Sequence, residues 1–232
     1  MAQNTGNAKN ILVGASPLFI SNVDVTSANY TLDAEPGSSA AGAFSTGTSY
    51  TSTLNAVSTG TFYYRNVGYT NNGLQITYNP TYDAVTVDQL LDTAKLFKSA
   101  MEVMIATEMS EGTLENVLAV FGQSSDTLSS ALTASTSSTQ TLGLAAGALG
   151  IAPTERQLIA VGQAPTAVTG VTSAERVYYA RRVLSVQQSQ FSLARNTPTT
   201  FPVTFRLLPS GVSAYAGQEY GKIIDRVLTI AS

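Results

Sequence analysis

Between Ser99 and Gly122 the chain changes its hydrophobic period. Apolar residues first recur at every second position, at Met101, Val103, Ile105 and Met109, the period of a strand with one buried face. After Gly112 they fall at Leu114, Val117, Leu118 and Phe121, the i, i+3, i+4, i+7 stripe of a helix. The two patterns predict one long strand over Ser99–Ser110 that feeds a short helix over Thr113–Phe121. Thr113 is placed to cap that helix, Glu111 and Glu115 sit near its positive end, and Gly122 can close it. A helix this short is not stable alone in water, so its apolar stripe must pack against a sheet.

Elsewhere the pattern is that of strands and loops. Residues 1–10 are polar and read as a flexible N-terminal arm. Ile11–Ser21 reads as a first strand, with Gly14 and Pro17 marking an edge or bulge, and Asp24–Leu32 is a candidate to pair back on it. Phe62–Val67 predicts a strand, Thr70-Asn71-Asn72-Gly73 a tight turn, and Leu74, Ile76 and Tyr78 the returning strand. Asn79-Pro80 is expected to end that strand. Val85 and Val87 continue in a short one, and Asp88–Phe97 forms an irregular or helical connection packed through Leu90, Leu91 and Leu96. In the last third, Arg156–Val161, Arg176–Val186, Thr199–Leu208 and Gly221–Ile230 are strand-like. The clearest is Phe201, Val203, Phe205 and Leu207 facing one way, with Thr204 and Arg206 facing the other. Many short strands with one helix predict a mainly β fold, a single sandwich or barrel-like domain over 1–232 with one flanking α-helix and long loops.

Two segments break the pattern. In residues 35–60, 19 of 26 positions are Gly, Ser, Thr or Ala, too little apolar surface to make a core. This stretch reads as a loop or disordered insert, or as a long two-stranded hairpin, since Thr46, Thr48, Tyr50 and Thr53 tolerate extended backbone. Residues 123–150 form a second low-complexity loop, and the glycines there fit no phosphate-binding pattern.

Charge sharpens the picture. Only 12% of residues are charged, against roughly 25% in ordinary globular proteins, so much of the surface is open to cover by neighbouring subunits. Residues 1–150 carry four basic and eleven acidic side chains, and 151–232 carry eight basic and four acidic. The halves differ in sign, which suits either pairing within one fold or patches that meet between copies. No apolar run is long enough for a membrane helix.

Catalytic and cofactor chemistry finds little support. The chain has no Cys and no His, which removes thiolate and imidazole nucleophiles, bases and metal ligands. Glu102 and Glu108 share a strand face but lie ~20 Å apart at about 3.3 Å per residue, too far for an acid–base pair. Neither a calcium-loop pattern nor a nucleophile elbow occurs. The one basic-aromatic cluster, Tyr63-Tyr64-Arg65, is small, and Tyr63 and Tyr64 fit strand packing better than nucleic-acid stacking. No enzyme, metal or cofactor is expected.

Several segments resemble the tail tube (major tail) proteins of long-tailed bacteriophages. They are VGYTNNGLQITYNPTYDAVTVDQLLD at 67–92, the strand and helix of 99–122, ERQLIAVGQAP at 155–165, YYARRVLS at 178–185, RNTPTTFPVTFRLLP at 195–209 and EYGKIIDR at 219–226. In order they span most of residues 61–232. The Ser/Thr/Gly/Ala-rich stretches 35–60 and 123–150 have no counterpart. The resemblance implies a β subunit that joins into rings, commonly of six, by extending sheets edge to edge. Stacked rings would form a hollow tube in the virion tail through which DNA passes without specific binding, with other tail proteins such as tape measure and terminator as partners. An electronegative lumen repels phosphates. Asp83, Asp88, Glu102 and Glu108 are candidates for it, and the 35–60 segment is a candidate for contact between rings. A β-sandwich receptor-binding or decoration module of a virion is the alternative, with its Ser/Thr-rich loops as recognition surfaces.

Overall fold

The computed structural model describes residues 12, 14, 16–21, 24, 49–57, 60–129, 139–147, 149–150, 153–165, 174–187 and 189–227, with backbone alone over 49–63 and 226–227. The fold is mainly β. Its elements in chain order are β1 (Leu18–Ser21), β2 (Ser49–Val57), β3 (Gly60–Asn66), β4 (Thr70–Val85), β5 (Lys95–Met109), α1 (Leu114–Val120), β6 (Arg156–Gln163), β7 (Ala174–Ser185), β8 (Phe201–Leu207) and β9 (Gly221–Val227).

All described strands belong to one antiparallel sheet. Eight follow the order β2-β3-β1-β6-β7-β8-β5-β4, and β9 attaches separately to β7. The branch arises because β7 divides one of its edges. Its first part, Ala174–Ala180, pairs with β9, whereas Val183–Ser185 pair with β8. At the branch, Gly221 has φ +144°, and a side chain there would put Cβ 1.9 Å from the Tyr179 carbonyl oxygen. Only glycine lets β9 approach β7 this closely.

One face of β1, β6, β7, β8 and β5 makes the main core. Leu18, Ile20, Leu158, Val183, Phe205 and Ile105 meet Ala119 and Val120 of α1 there. Val103, Phe201 and Leu207 also belong to this cluster, so strands from both halves of the chain share one core. A second cluster, built on Phe19, Tyr64, Ile159, Val161, Val177 and Tyr179, occupies the opposite face of β1, β3, β6 and β7. Tyr64 is fully buried and its hydroxyl donates to Gln157 Oε1 at 2.5 Å, so this tyrosine is a core residue.

The strand-and-helix pair of 99–122 forms as its periodicity predicts. Val103, Ile105 and Met109 are buried, and Met101 packs against the core. Thr113 caps α1 by accepting from the Asn116 amide, and Gly122 follows with φ +63°. The helix face needs correction. Among the stripe residues Leu118 is buried and Val117 is partly buried against the core, while Leu114 is half-buried and Phe121 is exposed against Phe191. The buried face is instead Asn116, Leu118, Ala119 and Val120. It is rotated because Asn116 goes inside with its polar atoms satisfied, a choice that apolar periodicity cannot register.

Three further expectations change. Asn71-Asn72-Gly73 does not reverse the chain. Both Asn72 (φ 60°) and Gly73 (φ 68°) take positive φ, but they make a bulge within β4, where the register jumps between Asn71 and Gln75. β3 pairs with β1 and β2, not with β4. Pro80 does not end its strand, because β4 is the last strand of the sheet and a missing N–H on its outer edge costs no ladder bond. The connection after Val85 is a turn, and Leu90, Leu91 and Leu96 are exposed, not packing points. In the Ser/Thr-rich segment, residues 49–57 form β2 against β3; Thr46 and Thr48 lie outside the described residues, as do 1–10, 25–48 and 130–138. The predicted Asp24–Leu32 pairing also falls outside them, apart from Asp24.

Candidate functional site

The feature that stands out from the body is the β4–β5 hairpin. Over its length Thr70 pairs with Met109 at the root and Val85 with Lys95 near the tip. β8 pairs with β5 only from Met104 to Met109. Beyond that point neither strand pairs with another among the described residues, and side chains on both faces are exposed: Tyr78, Tyr82, Val85, Leu96 and Phe97. An isolated two-stranded hairpin is marginal in water. Here the ribbon is anchored at one end by the core and projects free at the other.

Its two faces differ. Ile76 and Tyr78 lie opposite Ile105 and Val103, and Pro80 opposite Met101, so the core face of the sheet runs on outward as an uncovered apolar stripe. On the other face, Asn79 opposes Glu102 and Asn71 opposes Glu108, and alternation along β4 brings Asp83 to the same side. Three of the four acidic candidates thus share one face of the ribbon. Asp88 does not; it sits in the exposed turn at the tip.

The acidic face is partly compensated. Glu102 pairs with Arg206 of β8 at 3.7 Å, and Glu108 accepts from the Asn72 side chain at 2.9 Å. Lys95 lies on the same side, opposite Val85. The Glu108 contact ties the β4 bulge to β5, and Thr107 Oγ1 donates to the Gly73 carbonyl at 2.8 Å beside it. The Asn-Gly signal therefore marks the root of the projecting ribbon.

Arg181 and Arg182 are both engaged in the body. Arg181 is buried, donates from Nε to the Gln218 carbonyl and lies 3.6 Å from the centre of the Tyr215 ring. Arg182 grips Glu155 with two nitrogens and the Pro209 carbonyl with a third contact. Arg156, also buried, pairs with Asp24 at 3.0 Å, and burial holds its guanidinium below the usual arginine value against the pull of that carboxylate. The Arg156–Asp24 and Arg206–Glu102 pairs join the basic and acidic halves of the chain within one fold.

Of the inter-ring candidates, Tyr50 and Thr53 fall in β2, the strand at the far end of the sheet from β4. Among the described residues, no group of three or more Asp or Glu is arranged to hold a metal ion, and no helix is long and apolar enough to cross a membrane. What sequence reasoning missed is the projection of 76–100. Its signal was present in Leu90, Leu91, Leu96 and Tyr82, large apolar residues that no neighbouring pattern needed. No protein-family model matches the chain, and no curated protein matches it.

Proposed function

We propose that the chain is a non-catalytic structural subunit of a bacteriophage tail tube, assembling through its sheet edges into stacked rings that enclose a conduit for DNA. The observation that carries this reading is the β4–β5 hairpin, whose outer half pairs with no further strand among the described residues and exposes side chains on both faces. A long exposed strand edge with apolar side chains is an aggregation hazard in a monomer, and a defined neighbour removes that hazard. The sheet also ends in β2 on its other side, so each subunit offers two different ends. Contacts between unlike ends propagate, closing into rings or continuing as filaments.

In such a tube the ribbon face with Asp83, Glu102 and Glu108 would turn to the lumen and repel DNA phosphates. Arg206 and Lys95 moderate its charge, leaving a weak field that discourages sticking. Tape measure and terminator proteins are the further partners of this reading, and the virion tail is its location.

Negative-stain microscopy of the purified protein tests it. Hollow tubes with a regular axial repeat are expected at high protein concentration. A monodisperse particle without filaments in every buffer would overturn the reading and favour a receptor-binding or decoration module.

A further inference from the structure

Where β7 passes from β9 to β8 the sheet forks, and the fork holds an apolar cleft of about 460 Å³. Ile76 and Tyr78 at the root of the hairpin form one wall and Ile223 of β9 the other, with Leu207 between them. Lys222 is the one charged residue among its described lining. Ile223 is 65% exposed and Tyr78 63%, so the mouth is open.

We propose that this cleft receives the hairpin tip, Val87–Asp92, of a second copy of the chain, with Leu90 and Leu91 as the inserted side chains. The tip has the chemistry the cleft asks for. Leu91 is fully exposed, Leu90 is exposed beside it, and Asp88 and Asp92 flank the pair. Two carboxylates around an apolar pair complement an apolar cleft with a lysine in its lining. The chain's own tip cannot serve. It stands some nine residues of strand beyond Ile76, ~30 Å at about 3.3 Å per residue, on a ribbon that leads away from the cleft. A tip that fills the cleft therefore comes from another molecule.

The contact is heterologous, since tip and cleft are different surfaces of the same chain, and each added copy presents a fresh tip and a fresh cleft. It rests on the reading of the chain as a self-assembling subunit and supplies that reading with a specific joint. It also gives the outer ribbon the covering layer that it lacks alone.

Two variants test the joint by sedimentation velocity: the tip double variant Leu90→Asp/Leu91→Asp and the cleft-mouth variant Ile223→Asp. Wild-type protein is expected in large assemblies and each variant as a monomer. An equimolar mixture should give heterodimers and nothing larger, because only one good tip meets one good cleft. Variants that assemble as wild type does would overturn the tip–cleft joint while leaving self-assembly standing, and a mixture that stays monomeric would also overturn it. Wild-type protein that is monomeric at every concentration would overturn both readings. Because the chain has no cysteine, a Leu91→Cys/Ile223→Cys variant, whose fold need not change, provides a second measurement. Oxidation of its assemblies should give a covalent ladder that neither single cysteine variant gives; assemblies without the ladder count against the joint.

Discussion

Asn116 occupies the core with no solvent exposure. Its amide nitrogen donates to the carbonyls of Val67 at 2.8 Å and Glu111 at 2.9 Å, and its oxygen accepts from Arg65 at 2.7 Å. One side chain thus holds three segments: the end of β3, the exit from that strand and the lead into α1. Leucine at this position keeps the volume but leaves two carbonyls and a guanidinium short of a partner. Asn116→Leu is expected to cost about 2–3 kcal/mol, since each unsatisfied buried group costs roughly 1–3. The shift in urea midpoint at constant m-value measures it.

Asp225 acts at the surface. Arg176 holds it through two 2.6 Å hydrogen bonds and keeps its carboxyl below the usual range. A lowered folded-state value means the pair stabilises the fold above the ordinary carboxylate range near pH 4 and loses that contribution as pH falls through the lower folded value. The pair is half open to water, so its worth is at most about 1 kcal/mol. Between pH 5 and pH 2, Asp225→Asn should lose less thermal stability than wild type, and equal acid limbs in calorimetry would refute the assignment.

At the scale of elements, the β4–β5 hairpin carries two unlike tasks. Its root, from Met101 to Met109, is a wall of the core, while its outer half pairs with no further strand among the described residues and carries exposed side chains on both faces. Backbone hydrogen bonds in such a ribbon open locally at low cost. In hydrogen exchange on the unassembled protein, amides of 77–85 and 95–100 should exchange orders of magnitude faster than those of Met104–Met109. On assembly the outer amides should become protected. Protection already complete in the monomer would contradict the picture of an uncovered ribbon.

The helix shows how far local pattern reaches. Its position, Thr113 cap and glycine stop were legible, because each depends on residues within one turn. Its buried face was not, because Asn116 is buried by partners 49 and 51 positions away in the chain. The Asn-Gly pair illustrates the same limit. Positive φ at two successive residues was readable, but a hairpin turn and a bulge both use it, and the choice depends on which strand lies alongside.

For the whole molecule, the unequal charge of the two halves is resolved in part by topology. The basic last third inserts β6, β7 and β8 between strands of the acidic first part, so β1 meets β6 and β5 meets β8. Cross-half ion pairs follow from that interleaving. The sheet ends that remain, β2 on one side and the β4–β5 ribbon on the other, are where the proposed contacts between copies belong.

By itself the sequence determined that the fold is mainly β with one short helix, and which side chains of β5 and β8 face inward. It also excluded the chemistry of cysteine and histidine. These follow from periodicity and composition, which act within a few residues. The tertiary structure alone decided the strand order, the fork of β7, the burial of Asn116 and the exposure of Leu90, Leu91 and Leu96. Each depends on whether a segment distant in sequence arrives to cover a given face. An apolar side chain looks the same in the sequence whether its own fold covers it or leaves it for another copy.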